Sequence, residues 1–175
     1  SHTDEFKNKY GDRNLELAKS LLEQAGYSET NKLKVDLWYT PTHYGDTEAD
    51  VALLIKETWE ATGMISVEVK SAEWATYLDQ TRAITYPVCL YGWYPDYIDP
   101  DDYTTPWVDT GWTGHAYKNP QMSEILDDAS VATTVEERTK LYEQAQQIWA
   151  DDAAIIPLFQ GRLTIISKSN VSGIY

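Results

Sequence analysis

Between Tyr86 and Tyr117 the chain sets nine aromatic side chains, Tyr86, Tyr91, Trp93, Tyr94, Tyr97, Tyr103, Trp107, Trp112 and Tyr117, among five aspartates, Asp96, Asp99, Asp101, Asp102 and Asp109. No lysine or arginine falls between residues 83 and 117. The whole chain of 175 residues has 22 aromatics, so this stretch holds far more than its share. A Trp or Tyr face offers a large contact area at low entropic cost and attracts cations. A carboxylate without a protein partner offers an ammonium group a charge-assisted hydrogen bond. Together they suit capture of a small solute, with Trp93, Tyr94 and Tyr97 as walls. The plainer alternative is that the rings pin a long loop to the core.

Other chemistry fits less well. Asp96 with Asp99 or Asp102 could form the acid and base of a glycan-cleaving enzyme. No nucleophile-and-base arrangement, phosphate-cradling glycine loop or metal-ligand helix accompanies them, so no catalytic residue is assigned. Asp99-Pro100-Asp101-Asp102 lacks the alternate spacing, glycine turn and closing Glu of an EF-hand loop. His2, His43 and His115 stand at no ligand spacing, so neither a metal nor another cofactor is expected.

The elements needed to hold such a surface can be read on either side of it. Asp12 is placed to cap a helix to about Ala25, with Leu15, Ala18, Leu21, Leu22 and Ala25 inward and Gly26 as the stop. Leu33–Tyr39 alternates apolar and polar until Trp38 and reads as a half-buried strand. Asp46 is placed to cap a second helix, with Val51, Leu54, Ile55 and Thr58 inward and Gly63 at its end. Ile65–Lys70 reads as a second strand and residues 73–83 as a short helix. Pro87–Tyr91 is apolar without alternation, as in a central strand covered on both faces. Alternating strands and helices specify an α/β domain with crossover connections. The aromatic stretch follows the last of these strands, where open α/β sheets bind ligands. Residues 93–118 show no helical or strand period. Asn119-Pro120 restarts regular structure as a cap followed by proline at the first helical position. Met122, Ile125, Leu126 and Ala129 make the inner stripe. Thr134 and Glu137 have capping-box spacing before a long helix with Leu141, Tyr142, Ala145, Ile148 and Trp149 inward. Ile155–Phe159 and Leu163–Ile166 read as closing strands.

Composition narrows the partners. A formal net charge of −14 disfavours nucleic acid and anionic lipid and could attract cationic solutes. No apolar run is long enough for a membrane helix. The polar start, Ser1–Glu5, shows no signal-peptide pattern. The lone cysteine, Cys89, permits no intrachain disulfide and reads as a packed structural thiol.

Gly92-Trp93-Tyr94-Pro95-Asp96-Tyr97-Ile98-Asp99-Pro100 resembles the "GW…DY.DP" segment of the family 5 extracellular solute-binding proteins, which serve ABC importers for dipeptides, oligopeptides and nickel. Four further segments agree in order: Leu17–Tyr27 with "A..LL.EAGY", Thr62–Val67 with "..GI.V", Tyr117–Pro120 with "Y.NP", and Glu137–Gln146 followed by Ile156-Pro157-Leu158 with "R..LY..AQ…IPL". The resemblance implies a type II periplasmic-binding-protein-like fold of two lobes around a cleft. Residues 1–175 would form one α/β domain, the C-terminal lobe, with a central mixed sheet flanked by helices and no N-terminal lobe. It implies an extracytoplasmic protein, periplasmic or lipid-anchored, that is a monomer when whole and binds a peptide or other small solute and a permease. In peptide-binding members the aspartate of "W..D", here Asp96, pairs with the peptide α-amino group. Because the "DY.DP" pattern also occurs in sugar-binding members, an oligosaccharide remains the alternative solute. Nickel binders lack an aspartate like Asp96.

Overall fold

The structure, a computed structural model, describes residues 4–108, 117–161 and 166–173. Three parallel strands lie in the order β2-β1-β3: β1 is Leu33–Tyr39, β2 is Ile65–Ser71 and β3 is Val88–Cys89. β1 pairs with β2 along its whole length, Leu33 opposite Ile65 through Tyr39 opposite Ser71. Helices α1 (Glu5–Tyr10) and α2 (Leu15–Gln24) precede the sheet. Helix α3 (Glu48–Glu60) crosses from β1 to β2, and α4 (Trp74–Arg82) leads from β2 to β3. Helices α5 (Pro100–Thr104), α6 (Pro120–Val131) and α7 (Val135–Asp152) follow.

Alternation in the strands turns Leu37 and Val67 toward α3, where Ala52 is fully buried and Val51, Ile55 and Trp59 complete the contact. This stripe is rotated from the expected one. Leu54 is exposed, because Ala52, with no bulk to keep it away, brings the opposite side of the helix closest to the sheet. A second core forms where Met122, Ile125, Leu126 and Ala129 of α6 meet Tyr142 and Ala145 of α7, with Val108 beneath. Both α6 and α7 begin as the sequence specifies. The Asn119 side chain accepts from the Met122 amide at 3.1 Å, and the Thr134 hydroxyl from the Glu137 amide at 3.2 Å.

Other boundaries differ. The cap of α2 is Asn14, not Asp12; its side chain accepts from the Leu17 amide at 3.0 Å, three residues on, which Asp12 stands too early in the chain to do. Helix α3 starts after Thr47 rather than Asp46 and has no side-chain cap. β3 is shorter than Pro87–Tyr91 and lies at one edge of the described sheet, with β1 in the centre. Its apolar character has another cause. Cys89 packs against Tyr77 of α4, and Leu90 is buried with the α3 cluster. Burial pushes the Cys89 thiol up from its ordinary value, as suits a packed structural cysteine. Ile155–Phe159 is not a strand. No neighbouring strand among the described residues is there to pair its backbone, and Ile156, Leu158 and Phe159 are exposed. The described sheet is therefore wholly parallel rather than mixed. Leu163–Thr164–Ile165 lies outside the described residues. No helix among the described residues is long and apolar enough to cross a membrane.

Candidate functional site at the C-terminal edge of the sheet

The three parallel strands all deliver their following segments to one edge, and the aromatic residues collect there. After β1, His43 stacks on Trp74 at 3.5 Å and 5° between ring planes, and Tyr44 meets the same Trp74 edge-on at 5.7 Å. Trp74 opens α4 directly after β2. After β3, Tyr91 lies 6.2 Å from Tyr44 and 5.6 Å from Trp107, and Trp107 meets Trp93 edge-on at 5.7 Å. Tyr94 approaches Tyr44 at 6.5 Å. Gly92 makes the crossing possible: a Cβ there would stand 2.7 Å from a Tyr44 ring carbon, while the Tyr44 hydroxyl donates to the Gly92 carbonyl at 3.1 Å. Burial raises the Tyr44 phenol well above its ordinary pKa. The Tyr77 hydroxyl holds the strand ends together by reaching the carbonyls of Leu90 at 2.6 Å and Trp38 at 3.1 Å.

The segment after Trp93 contains a helix that the sequence pattern hides. Asp99 accepts from the Asp101 amide at 2.9 Å and Pro100 stands at the first position of α5, the same cap-and-proline arrangement as Asn119-Pro120. The signal was present in Asp99-Pro100, but five residues are too few to show a helical period.

The aspartates then divide sharply in role. Asp99 receives two hydrogen bonds from the Arg138 guanidinium, at 2.6 and 2.7 Å, and this pairing holds its carboxyl below the usual carboxylate range. Asp101 accepts from the Tyr97 hydroxyl at 2.7 Å and from the Thr105 hydroxyl at 2.6 Å, and the first of these pushes Tyr97 up to about 12. Asp102 is 3% exposed and accepts from the Trp93 indole at 3.2 Å and from the Asp96 amide at 2.8 Å. Asp96 is exposed, and among the described residues its carboxylate has no hydrogen-bond or ion-pair partner.

The structure thus brings Trp93, Tyr94, Asp96 and Tyr97 to one edge. Asp96, Tyr94 and Tyr97 are exposed there, the two tyrosines by 62% and 51%, while Trp93 is half-buried with its indole N–H already engaged. Asp99 and Asp102, the possible acid–base partners of Asp96, are committed to Arg138 and to internal donors. Sequence reasoning missed His43, Tyr44 and Trp74, which stand far from the aromatic stretch in the chain and reach it only because parallel strands end together. It also missed the buried role of Asp102. Among the described residues no group of three or more His, Cys, Asp or Glu could hold a metal. His2, His115, Asp109 and Trp112 lie outside the described residues.

Residues 1–115 match the family model of the bacterial extracellular solute-binding proteins, family 5, middle region. The chain belongs to that family. This family 5 chain is 34% identical over 150 residues to the periplasmic oligopeptide-binding protein OppA of Haemophilus influenzae, a match covering 84% of this chain and 27% of the relative. It is 30% identical over 151 residues to the periplasmic murein peptide-binding protein MppA of Escherichia coli, covering 83% of this chain and 27% of that protein. Among solved structures, the Haemophilus influenzae OppA complex with the peptide RPPGFSPFR superimposes with a TM-score of 0.77 at 32% identity, over 83% of this chain and 28% of the other. The family 5 chain therefore spans about a quarter of the length of the curated relatives it matches.

Proposed function

We propose that this chain is one lobe, the C-terminal one, of a two-lobed receptor that captures peptides outside the cytoplasm and presents them to the permease of an ABC importer. The observation that carries the reading is the division among the aspartates. In a segment where Asp99, Asp101 and Asp102 all serve the fold, Asp96 alone of that segment's described aspartates keeps a carboxylate with no partner among the described residues, and it does so at an aromatic edge. That is the arrangement needed to receive an ammonium group, and the peptide-binding names of the relatives support a peptide as its bearer. Capture needs no bond to be made or broken. The solute lies against Tyr94 and Tyr97, its α-amino group pairs with Asp96, and a second lobe closes over it by hinge motion.

Asp96→Asn in the complete two-lobed protein tests this. The substitution removes the charge and keeps the shape. A charge-assisted hydrogen bond contributes roughly 1.5–3 kcal/mol, so affinity for a free-amine tripeptide should fall by about one to two decades. Affinity for the N-acetylated tripeptide should hardly change. Calorimetric titration reads both, and equal losses for the two ligands would remove Asp96 from the amine site.

A further inference from the structure

Asp102 is a carboxylate with almost no access to water whose two donors among the described residues are both neutral, an indole and a backbone amide. Burying an ionised group is costly, and an uncharged acceptor could make the same two bonds. Both bonds end on one oxygen, Oδ2, and both come from the segment that carries Asp96. With its amide nitrogen held 2.8 Å from a buried acceptor, the Asp96 backbone is fixed while its own carboxylate stays in solvent.

The acceptor is itself anchored from a distant part of the chain. Arg138, on α7, places two nitrogens on the two oxygens of Asp99, and one of those oxygens also caps α5. Its Nε donates to the Ala129 carbonyl in α6 at 3.0 Å, and one terminal nitrogen also lies 3.3 Å from the Tyr142 hydroxyl. One planar fork therefore ties α5, α6 and α7 together. Lysine, a single point donor, cannot copy it.

We infer that Asp102 and Arg138 are positioning residues for the solute site: Asp102 sets the backbone at Asp96 and the indole of Trp93, and Arg138 holds in place the short helix that carries Asp102. The link to solute rests on the reading of Asp96 given above, whereas the positioning itself can be tested without any ligand. Arg138 touches neither Trp93 nor Asp96 among the contacts described, so its influence on them is the distinctive consequence.

Hydrogen exchange by NMR on the 175-residue chain reads this directly, with the Leu37 amide of the central strand as the control for global stability. In Asp102→Asn, exchange of the Asp96 amide and of the Trp93 indole proton should quicken by about tenfold or more, with Leu37 unchanged. Arg138→Lys should quicken the same two protons by a smaller factor, again without Leu37. Unchanged exchange at both protons in Arg138→Lys would overturn the relay. Equal quickening at Leu37 would also overturn it, by making the pair a general staple of the domain. A parallel arm compares Ala-Ala-Ala with its N-acetyl form on the complete receptor. The preference for the free amine should shrink in Asp102→Asn, and a preserved preference would contradict the inference. If the unsubstituted receptor shows no preference, the amine-site reading fails, and the exchange results still decide the positioning.

Discussion

Asp96 and Asp102 stand six positions apart, and the two carboxylates have opposite surroundings, one open to solvent with no partner among the described residues, the other buried and accepting twice. Charge counting along the chain could not separate them. The sequence shows aspartates among aromatics and supports several readings at once, because the role of each is decided by which donor the fold brings to it. Gly92 shows the same limit. It stands in the recognisable Gly-Trp pair, but its reason for being glycine is a tyrosine 48 positions away in the chain, Tyr44. Gly92→Ala should therefore cost roughly 1–3 kcal/mol, the range for overpacking a fitted contact. Thermal unfolding of the variant checks this, and an unchanged midpoint would mean that the Tyr44 ring swings away freely.

At the scale of elements, what was legible depended on length and on local signals. Helices α6 and α7 carry cap residues and long apolar stripes, so Asn119 and Thr134 mark their starts correctly. Strands β1 and β2 alternate apolar and polar, β1 until Trp38 and β2 along its length, and were equally plain. Helix α5 is too short to have a period, and Ile155–Phe159 has the composition of a strand without a partner among the described residues to pair it. A strand is a relation between two segments, and one segment's sequence does not contain the other. The contact between α5 and α7 has a testable signature in acid. Arg138 holds the Asp99 carboxyl below its ordinary value, so the folded pKa lies under the unfolded one of about 3.9. The resulting stability is complete above the unfolded value and is lost as pH falls below about 4 through the folded value. Asp99→Asn keeps an acceptor for the helix cap and removes the charge. At neutral pH it should cost about 1–2 kcal/mol, between an exposed ion pair and a buried charged hydrogen bond. Urea unfolding of the two proteins at pH 7 and pH 3 should show that gap narrowing in acid; an equal gap at both values would deny the ion pair its part.

For the whole molecule, one geometric fact organises the rest. Parallel strands all end on the same side, so segments from three separate places in the chain meet at one edge, and that edge holds the aromatic array and Asp96. The alternation of strand and helix foretold the edge, and the aromatic stretch foretold part of its lining. The contribution of His43, Tyr44 and Trp74 had to wait for the strands to be paired. If the chain is one lobe, as proposed, it offers only one wall and should hold its solute weakly, since the enclosing contacts of a closed cleft are missing. Weak binding is still enough to perturb nuclear shifts. The most direct measurement is an NMR titration of the 175-residue chain with Ala-Ala-Ala, following backbone amide and indole signals. The account predicts millimolar-range binding with the largest changes at Trp93, Tyr94, Asp96 and Tyr97. Changes centred instead on the open groove lined by Trp38, Gln80 and Tyr86, or none at residues 93–97 under saturating peptide, would contradict it.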